Sequence, residues 1–243
     1  MKPFFIVGAP RSGTTMLRDM LKNDKYYSPE ETHFYRWSEP FGSKAYFFHY
    51  KNNVTLNKHR EIDGVSDEVF WQLYEGCFTR KDLNDRYCSL VANSKSAQTW
   101  FEKTPQNIYL LPLLAVQQHE KIIIHIYRSP YDVIKSLMVG KVLKVSELIG
   151  ATNYWLESMQ IVEAVKPYLG DRLVEICYED LVGKKEAEVL KLEKAVGYKV
   201  SDAAYQKLAS RISNPSEFFS REQLDIINEI CNPYIDVYEY KKV

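Results

Sequence analysis

Four consecutive apolar residues, Phe4-Phe5-Ile6-Val7, run directly into Gly8-Ala9-Pro10-Arg11-Ser12-Gly13. A short apolar run without alternation is the pattern of a strand buried on both faces, as in a parallel sheet. Beyond the turn, Met16, Leu17, Met20 and Leu21 recur at helical spacing. The same succession of strand, turn and helix returns at Ile122 to Tyr127, Arg128-Ser129-Pro130 and Tyr131 to Met138. Further strands are predicted at Leu173 to Tyr178 and, more weakly, at Thr99 to Glu102, with helical patterns at Ile108 to Gln118, Ser146 to Val165, Lys185 to Val196 and Ser220 to Ile230. Strands separated by helices predict an α/β fold, a central parallel sheet with helices on both faces. The aromatic stretch from Tyr26 to Tyr50 has poor periodicity and reads as irregular or partly helical structure inserted into that core. Neither a repeat nor a linker interrupts the chain, so residues 1–243 are expected to form a single domain.

Composition narrows the partners. The 32 Lys+Arg are matched by 32 Asp+Glu, so nothing in the net charge attracts a polyanion and nucleic acid is not an expected partner. With 45% hydrophobic and 26% charged residues, wholesale disorder is excluded. Cys77, Cys88, Cys177 and Cys231 are too dispersed for a CxxC metal site and too few for a disulfide scaffold, so reduced thiols are expected. The apolar run after Met1-Lys2-Pro3 is too short for a signal sequence, and no window is apolar enough to cross a bilayer. A cytoplasmic, soluble chain is the resulting expectation.

Gly8-x4-Gly13 between a strand and a helix is a loop of the phosphate-binding type, in which backbone N–H groups and a helix N-terminus hold an anion. A nucleoside-triphosphate loop continues with Gly-Lys-Ser/Thr, whose lysine reaches the terminal phosphates. Here Gly13 is followed by Thr14-Thr15, and Arg11 instead brings a planar fork suited to a tetrahedral oxyanion. A P-loop kinase or nucleotidase is thereby disfavoured. A catalytically silent nucleotide-binding protein is the second alternative.

The stretch from Phe5 through Gly8, Arg11, Ser12, Gly13, Thr14 and Thr15 to Leu17 resembles the 5′-phosphosulfate loop of sulfotransferases that use 3′-phosphoadenosine 5′-phosphosulfate (PAPS), in its tyrosylprotein and bacterial versions. Ile126 to Ser136 resembles the 3′-phosphate motif of that family. An arginine at a strand end and a serine about two helical turns later can converge on one phosphate, which makes Arg128 and Ser136 the expected pair. Phe101-Glu102-Lys103-Thr104-Pro105 is similar to a Glu-Lys-Ser/Thr-Pro element and implies that Lys103 contacts the transferring sulfuryl group. Cys177-Tyr178-Glu179-Asp180-Leu181 resembles a strand end where Tyr178 lies near the nucleotide, or else simply packs at the strand terminus. The resemblance therefore implies a P-loop NTPase-like sulfotransferase fold, PAPS as co-substrate, 3′-phosphoadenosine 5′-phosphate (PAP) as product, and no metal. Beyond residue 181 it is loose, with Arg211, Ser213, Ser220 and Arg221 as unranked candidates for the 3′-phosphate.

Sulfuryl transfer to a hydroxyl or amine needs a base for the acceptor proton and positive charge for the leaving phosphate. Pro29-Glu30-Glu31-Thr32-His33-Phe34 resembles both the tyrosylprotein and the heparan sulfate 3-O-sulfotransferase patterns, and both put the catalytic carboxylate at Glu31. Catalysis is thus expected from Glu31, Arg11 and Lys103, with His33 as the rival base. A solvated acidic turn at Glu30 and Glu31 is the bland alternative. The aromatics from Tyr26 to Tyr50 could stack a carbohydrate, enclose an aromatic or lipid alcohol, or build core, leaving the acceptor alcohol or other small molecule open.

Overall fold

Strand β1 (Phe4–Val7) is buried along its whole length and alternates between two cores. Phe5 and Val7 face a cluster with Trp100, Ile123, Leu83 and Tyr87. Phe4 and Ile6 face another with Phe101, Ile124, Ile126 and Leu17. Removing such side chains from water contributes about 1.5–3 kcal/mol each, which is why the run has no polar member. The computed structural model describes residues 2–141, 143–201, 204–205 and 214–243.

The sheet has five parallel strands in the order β2-β3-β1-β4-β5, with β2 at Tyr26–Tyr27, β3 at Thr99–Lys103, β4 at Ile122–Tyr127 and β5 at Leu173–Cys177. On one face lie α5 (Arg80–Ser94), α6 (Leu111–Gln117) and the C-terminal half of α8 (Leu148–Leu169). The other face carries α1 (Thr14–Leu21), α9 (Tyr178–Val182) and α10 (Glu186–Val196). A third cluster joins α7 (Pro130–Met138) and α8 to α11 (Arg221–Val237) through Trp155, Ile134 and Ile227. The α/β layering read from the sequence is the observed one.

Three features depart from the sequence expectation. The aromatic stretch is irregular over residues 28–43 and helical in α2 (Lys44–Lys51), as expected, but it begins with β2, a two-residue strand pairing Tyr26 with Thr99. The expected helix at Ile108 to Gln118 is a 3-10 turn at Pro105–Leu110 followed by α6. Tyr178 opens α9 rather than closing β5. Helices α3 (Val54–Asp63) and α4 (Asp67–Glu75) precede α5, and all three are capped by a side chain, that of Asn53, Ser66 and Thr79 respectively, that accepts the backbone N–H of Leu56, Val69 and Asp82.

Because every strand runs the same way, the residues following β1, β3, β4 and β5 emerge at one edge of the sheet. Four motifs far apart in sequence meet there.

Candidate active site

The loop after β1 owes its shape to two glycines. A Cβ at Gly8 would lie 2.4 Å from the Ile126 carbonyl oxygen, and one at Gly13 would lie 2.6 Å from Tyr178 Cδ2, in a backbone with φ +103°. Arg11 also has a left-handed φ of +78°, which turns its side chain outward. Gly13 provides no side-chain cap for α1, and the Ser12 hydroxyl is buried without a hydrogen-bond partner. Uncapped N–H groups at a helix start and an orphaned hydroxyl in the turn suit an oxyanion held by the loop.

A cleft of about 700 Å³ opens over this loop, lined among others by Arg11, Thr15, Glu31, Arg128, Ser136 and Tyr178. Lys103, buried at the end of β3, donates to Thr15 Oγ1 at 3.2 Å and to Glu31 Oε1 at 2.5 Å. The lysine thus bridges the phosphate loop and the carboxylate. Glu30 turns the other way, pairing with Arg18 on α1 at 3.0 Å while its N–H donates to Asp63 Oδ1 at 3.0 Å. The two neighbouring carboxylates are therefore separated, and only Glu31 lines the cleft.

His33 Nε2 lies 3.5 Å from Glu31 Oε2. Burial, reinforced by Arg36, His59 and Lys103, pulls the His33 imidazole down to about 3. At neutral pH it is uncharged, so the contact is polar rather than an ion pair. His59 Nδ1 lies 3.0 Å from the Glu31 carbonyl oxygen and ties the backbone at that point to α3.

At the other end of the cleft, Arg128 follows β4 and stands 4.4 Å over the Tyr178 ring. Its guanidinium reaches the Arg11 carbonyl at 3.4 Å and Asp132 at 3.5 Å. The backbone around it is pinned from both sides. Trp155 Nε1 donates to the Arg128 carbonyl at 2.9 Å, and the Ser129 N–H donates to Glu179 Oε1 at 2.9 Å. Ser136 sits in the same cleft, but its hydroxyl accepts from Arg11 Nε at 2.9 Å, so its protein partner is the loop arginine rather than Arg128.

Arg11, Ser12, Gly13, Thr14, Thr15, Glu31, Lys103, Arg128, Ser136 and Tyr178 are thus gathered at one edge of the sheet. Asp132 and Lys135 also line the cleft and are not among the sequence candidates; the signal for them is their position on α7 between Arg128 and Ser136, four and seven residues after Arg128. Of the C-terminal candidates, Ser220 caps α11 by accepting the Gln223 N–H, and Arg221 pairs with Asp225 at 3.3 Å; neither lines the cleft. Arg211 and Ser213 lie outside the described residues.

The sequence profile described as the Sulfotransferase family matches residues 3–202. Among solved structures, the sulfotransferase domain of the Synechococcus PCC 7002 olefin synthase is 20% identical, with a TM-score of 0.62 over 92% of this chain and 82% of that one. The sulfotransferase domain from the curacin biosynthetic pathway is 18% identical, with a TM-score of 0.63 over 99% of this chain and 98% of that one. Mouse sulfotransferase SULT7A1, complexed with PAP, is 13% identical, with a TM-score of 0.56 over 96% and 84%. No curated protein sequence matches the chain. At these identities the structural likeness speaks for the fold.

Proposed function

The chain belongs to the sulfotransferase family, and on that premise we propose that it moves a sulfuryl group from PAPS to a hydroxyl or amine, with Glu31 as general base and PAP as product. The observation that carries this reading is the bridge from Thr15 through Lys103 Nζ to Glu31. It puts a carboxylate beside the loop that suits the phosphosulfate, with a buried cation between them.

The roles follow from the geometry. Loop N–H groups from Gly13 to Thr15, the Ser12 hydroxyl and Arg11 hold the 5′ end of the nucleotide. Arg128 and Ser136 receive the 3′-phosphate, and Tyr178, already under a guanidinium, offers a ring face to the nucleotide. In the transfer the acceptor oxygen bonds to sulfur, the bond from sulfur to the phosphate oxygen breaks, and the acceptor proton passes to a Glu31 oxygen. Lys103 and Arg11 stabilise the charge left on the phosphate, and no divalent ion is required for that step. His33, uncharged and buried, orients Glu31 instead of replacing it.

A thermal melt in EDTA with PAP, ATP and AMP tests the reading. PAP at ~100 times its Kd is expected to add about 2.7 kcal/mol of stability, with weaker effects from ATP and AMP. A strict Mg²⁺ requirement with ATP preferred would instead establish a kinase-like phosphotransferase.

A further inference from the structure

The segment that carries Glu31, residues 28–43, has no helix or strand of its own. Part of what holds it is a polar cluster sealed behind the site at the end of β3. Glu102 is completely buried there and does not line the cleft. Its Oε1 accepts from the Thr32 hydroxyl at 2.9 Å and from the Thr104 hydroxyl at 2.5 Å, and its Oε2 accepts from Asn107 Nδ2 at 2.9 Å. Two of these partners in turn hold the Glu31 segment by its backbone. Thr104 Oγ1 accepts the His33 N–H at 3.3 Å, and Asn107 Oδ1 accepts the Tyr35 N–H at 3.2 Å.

The polarity of this chain is fixed from outside. The Tyr35 amide requires the oxygen of Asn107, so the NH₂ end of Asn107 must face position 102. The branch facing Asn107 must then accept, and the other is the acceptor for the Thr32 and Thr104 hydroxyl protons. A carboxylate takes all three donors, whereas a glutamine that accepts from Asn107 turns its NH₂ to the two hydroxyls, whose own protons then lose this acceptor.

The arrangement is costly. Burial pushes the Glu102 carboxyl up to about 7, against the pull of Thr104, Thr32 and Lys103 and with a push from Glu31. A carboxyl raised on folding binds its proton more tightly in the folded chain, so stability from this group is present at low pH and is lost as pH rises towards about 7. A hydrophobic or neutral residue would avoid that cost, but would leave the donors that hold residues 32–35 without their common acceptor.

We propose that Glu102 is a positioning residue for transfer: its ionised carboxylate gathers Thr32, Thr104 and Asn107 and so holds residues 31–35 at the end of β3, with the Glu31 carboxylate against Lys103. The inference rests on the reading of Glu31 as the base. Protonation of either Glu102 oxygen replaces an acceptor with a donor, so one of the three partners either turns to accept or loses its contact, and the cluster holds one donor proton fewer. The titratable groups facing Glu102 are Lys103 on β3, Glu31 on the held segment, and the Cys88 thiol of α5, which burial keeps protonated.

The test is hydrogen–deuterium exchange of residues 31–37, corrected for the intrinsic rate, in the wild type and Glu102→Gln, with PAP affinity measured by calorimetry on both proteins. At about pH 8 the variant is expected to exchange this segment ~10-fold faster, the loss of a hydrogen bond to a charged group, while PAP affinity stays within about twofold. Lowering the pH to about 6 is expected to accelerate exchange several-fold in the wild type and not in the variant, since only the wild type has a carboxyl to protonate. Thr32→Val, which removes one donor and leaves the carboxylate, is expected to accelerate exchange about threefold and decides the matter should Glu102→Gln not fold. Unchanged exchange in these variants, or a pH response that survives Glu102→Gln, overturns the proposal. Loss of wild-type PAP binding would instead overturn the donor reading, and the exchange result, which needs no ligand, would stand.

Discussion

The two walls of the cleft are built on different principles. One is the loop from Gly8 to Thr15, whose shape comes from its own backbone: two glycines in tight quarters, a turn closed by Ser12 N–H to the Ala9 carbonyl at 3.0 Å, and the start of α1. The other, residues 28–43, borrows nearly all of its order. Tyr46 and Tyr50 donate to the carbonyls of Phe34 and His33 at 3.0 and 2.9 Å, Arg80 donates to the carbonyls of Phe34, Trp37 and Glu39, and Asn107 takes the Tyr35 N–H. These anchors lie between 12 and 72 residues away in sequence. The proposed anion-binding turn can be written locally, whereas the place of the proposed base relative to that turn has to be written across the fold.

If the walls divide binding from chemistry, substitutions in them must separate affinity from turnover. Glu31→Gln should give the largest effect, with turnover lower by ~10²–10⁴ and PAP affinity within about twofold, read by steady-state PAP release and by calorimetry. His33→Ala should cost less than about tenfold in turnover, because its ring touches Glu31 and is uncharged. The opposite ranking would move the base to His33.

An intermediate effect is expected on the nucleotide side. Arg128→Ala should reduce the preference for PAP over adenosine 5′-phosphate by ~10–150-fold, the equivalent of about 1.5–3 kcal/mol for hydrogen bonds to a charged group. An unchanged ratio of the two dissociation constants would detach Arg128 from the 3′-phosphate. The smallest effect sharpens the comparison most. Tyr50→Phe removes the hydroxyl that holds the His33 carbonyl and should lower stability by about 1 kcal/mol, with turnover a few-fold lower and PAP affinity unaltered. Equal losses in affinity and turnover would mean that the walls are not independent.

The same division explains how much could be read from the sequence. Gly8 to Thr15 and Arg128 are legible because each stands at or just after an apolar run, and parallel strands deliver such positions to one edge; Lys103 is marked out by its resemblance to a Glu-Lys-Ser/Thr-Pro element. Tyr26–Tyr27 is too short to show any period. Helix α5 is hidden in the sequence because its inner face carries Arg80 before Leu83 and Asn84 between Leu83 and Tyr87, which breaks the apolar spacing. Glu102 stands out in the sequence only as part of a motif, since the hydroxyls that surround it come from positions that only the fold brings together. Ser136 is expected to share a phosphate with Arg128 from the motif resemblance and helical spacing; the left-handed backbone at Arg11, which no spacing rule supplies, accompanies an Arg11 guanidinium that donates to it.

The central position of β1 has a consequence for how the protein is made. Its neighbours in the sheet pair Phe4 with Phe101 and with Ile122, so both of its edges wait for strands roughly a hundred residues downstream. At synthesis rates of about 5–20 residues per second, Phe4-Phe5-Ile6-Val7 spends roughly 5–20 s outside the ribosome before either partner exists. During that interval the strand that later carries the phosphate loop is an unpaired apolar segment, open to chaperones and to other nascent chains. The loop itself cannot pack against the Ile126 carbonyl until β4 has emerged, so the loop proposed to hold the nucleotide takes its final surroundings late in the growth of the chain.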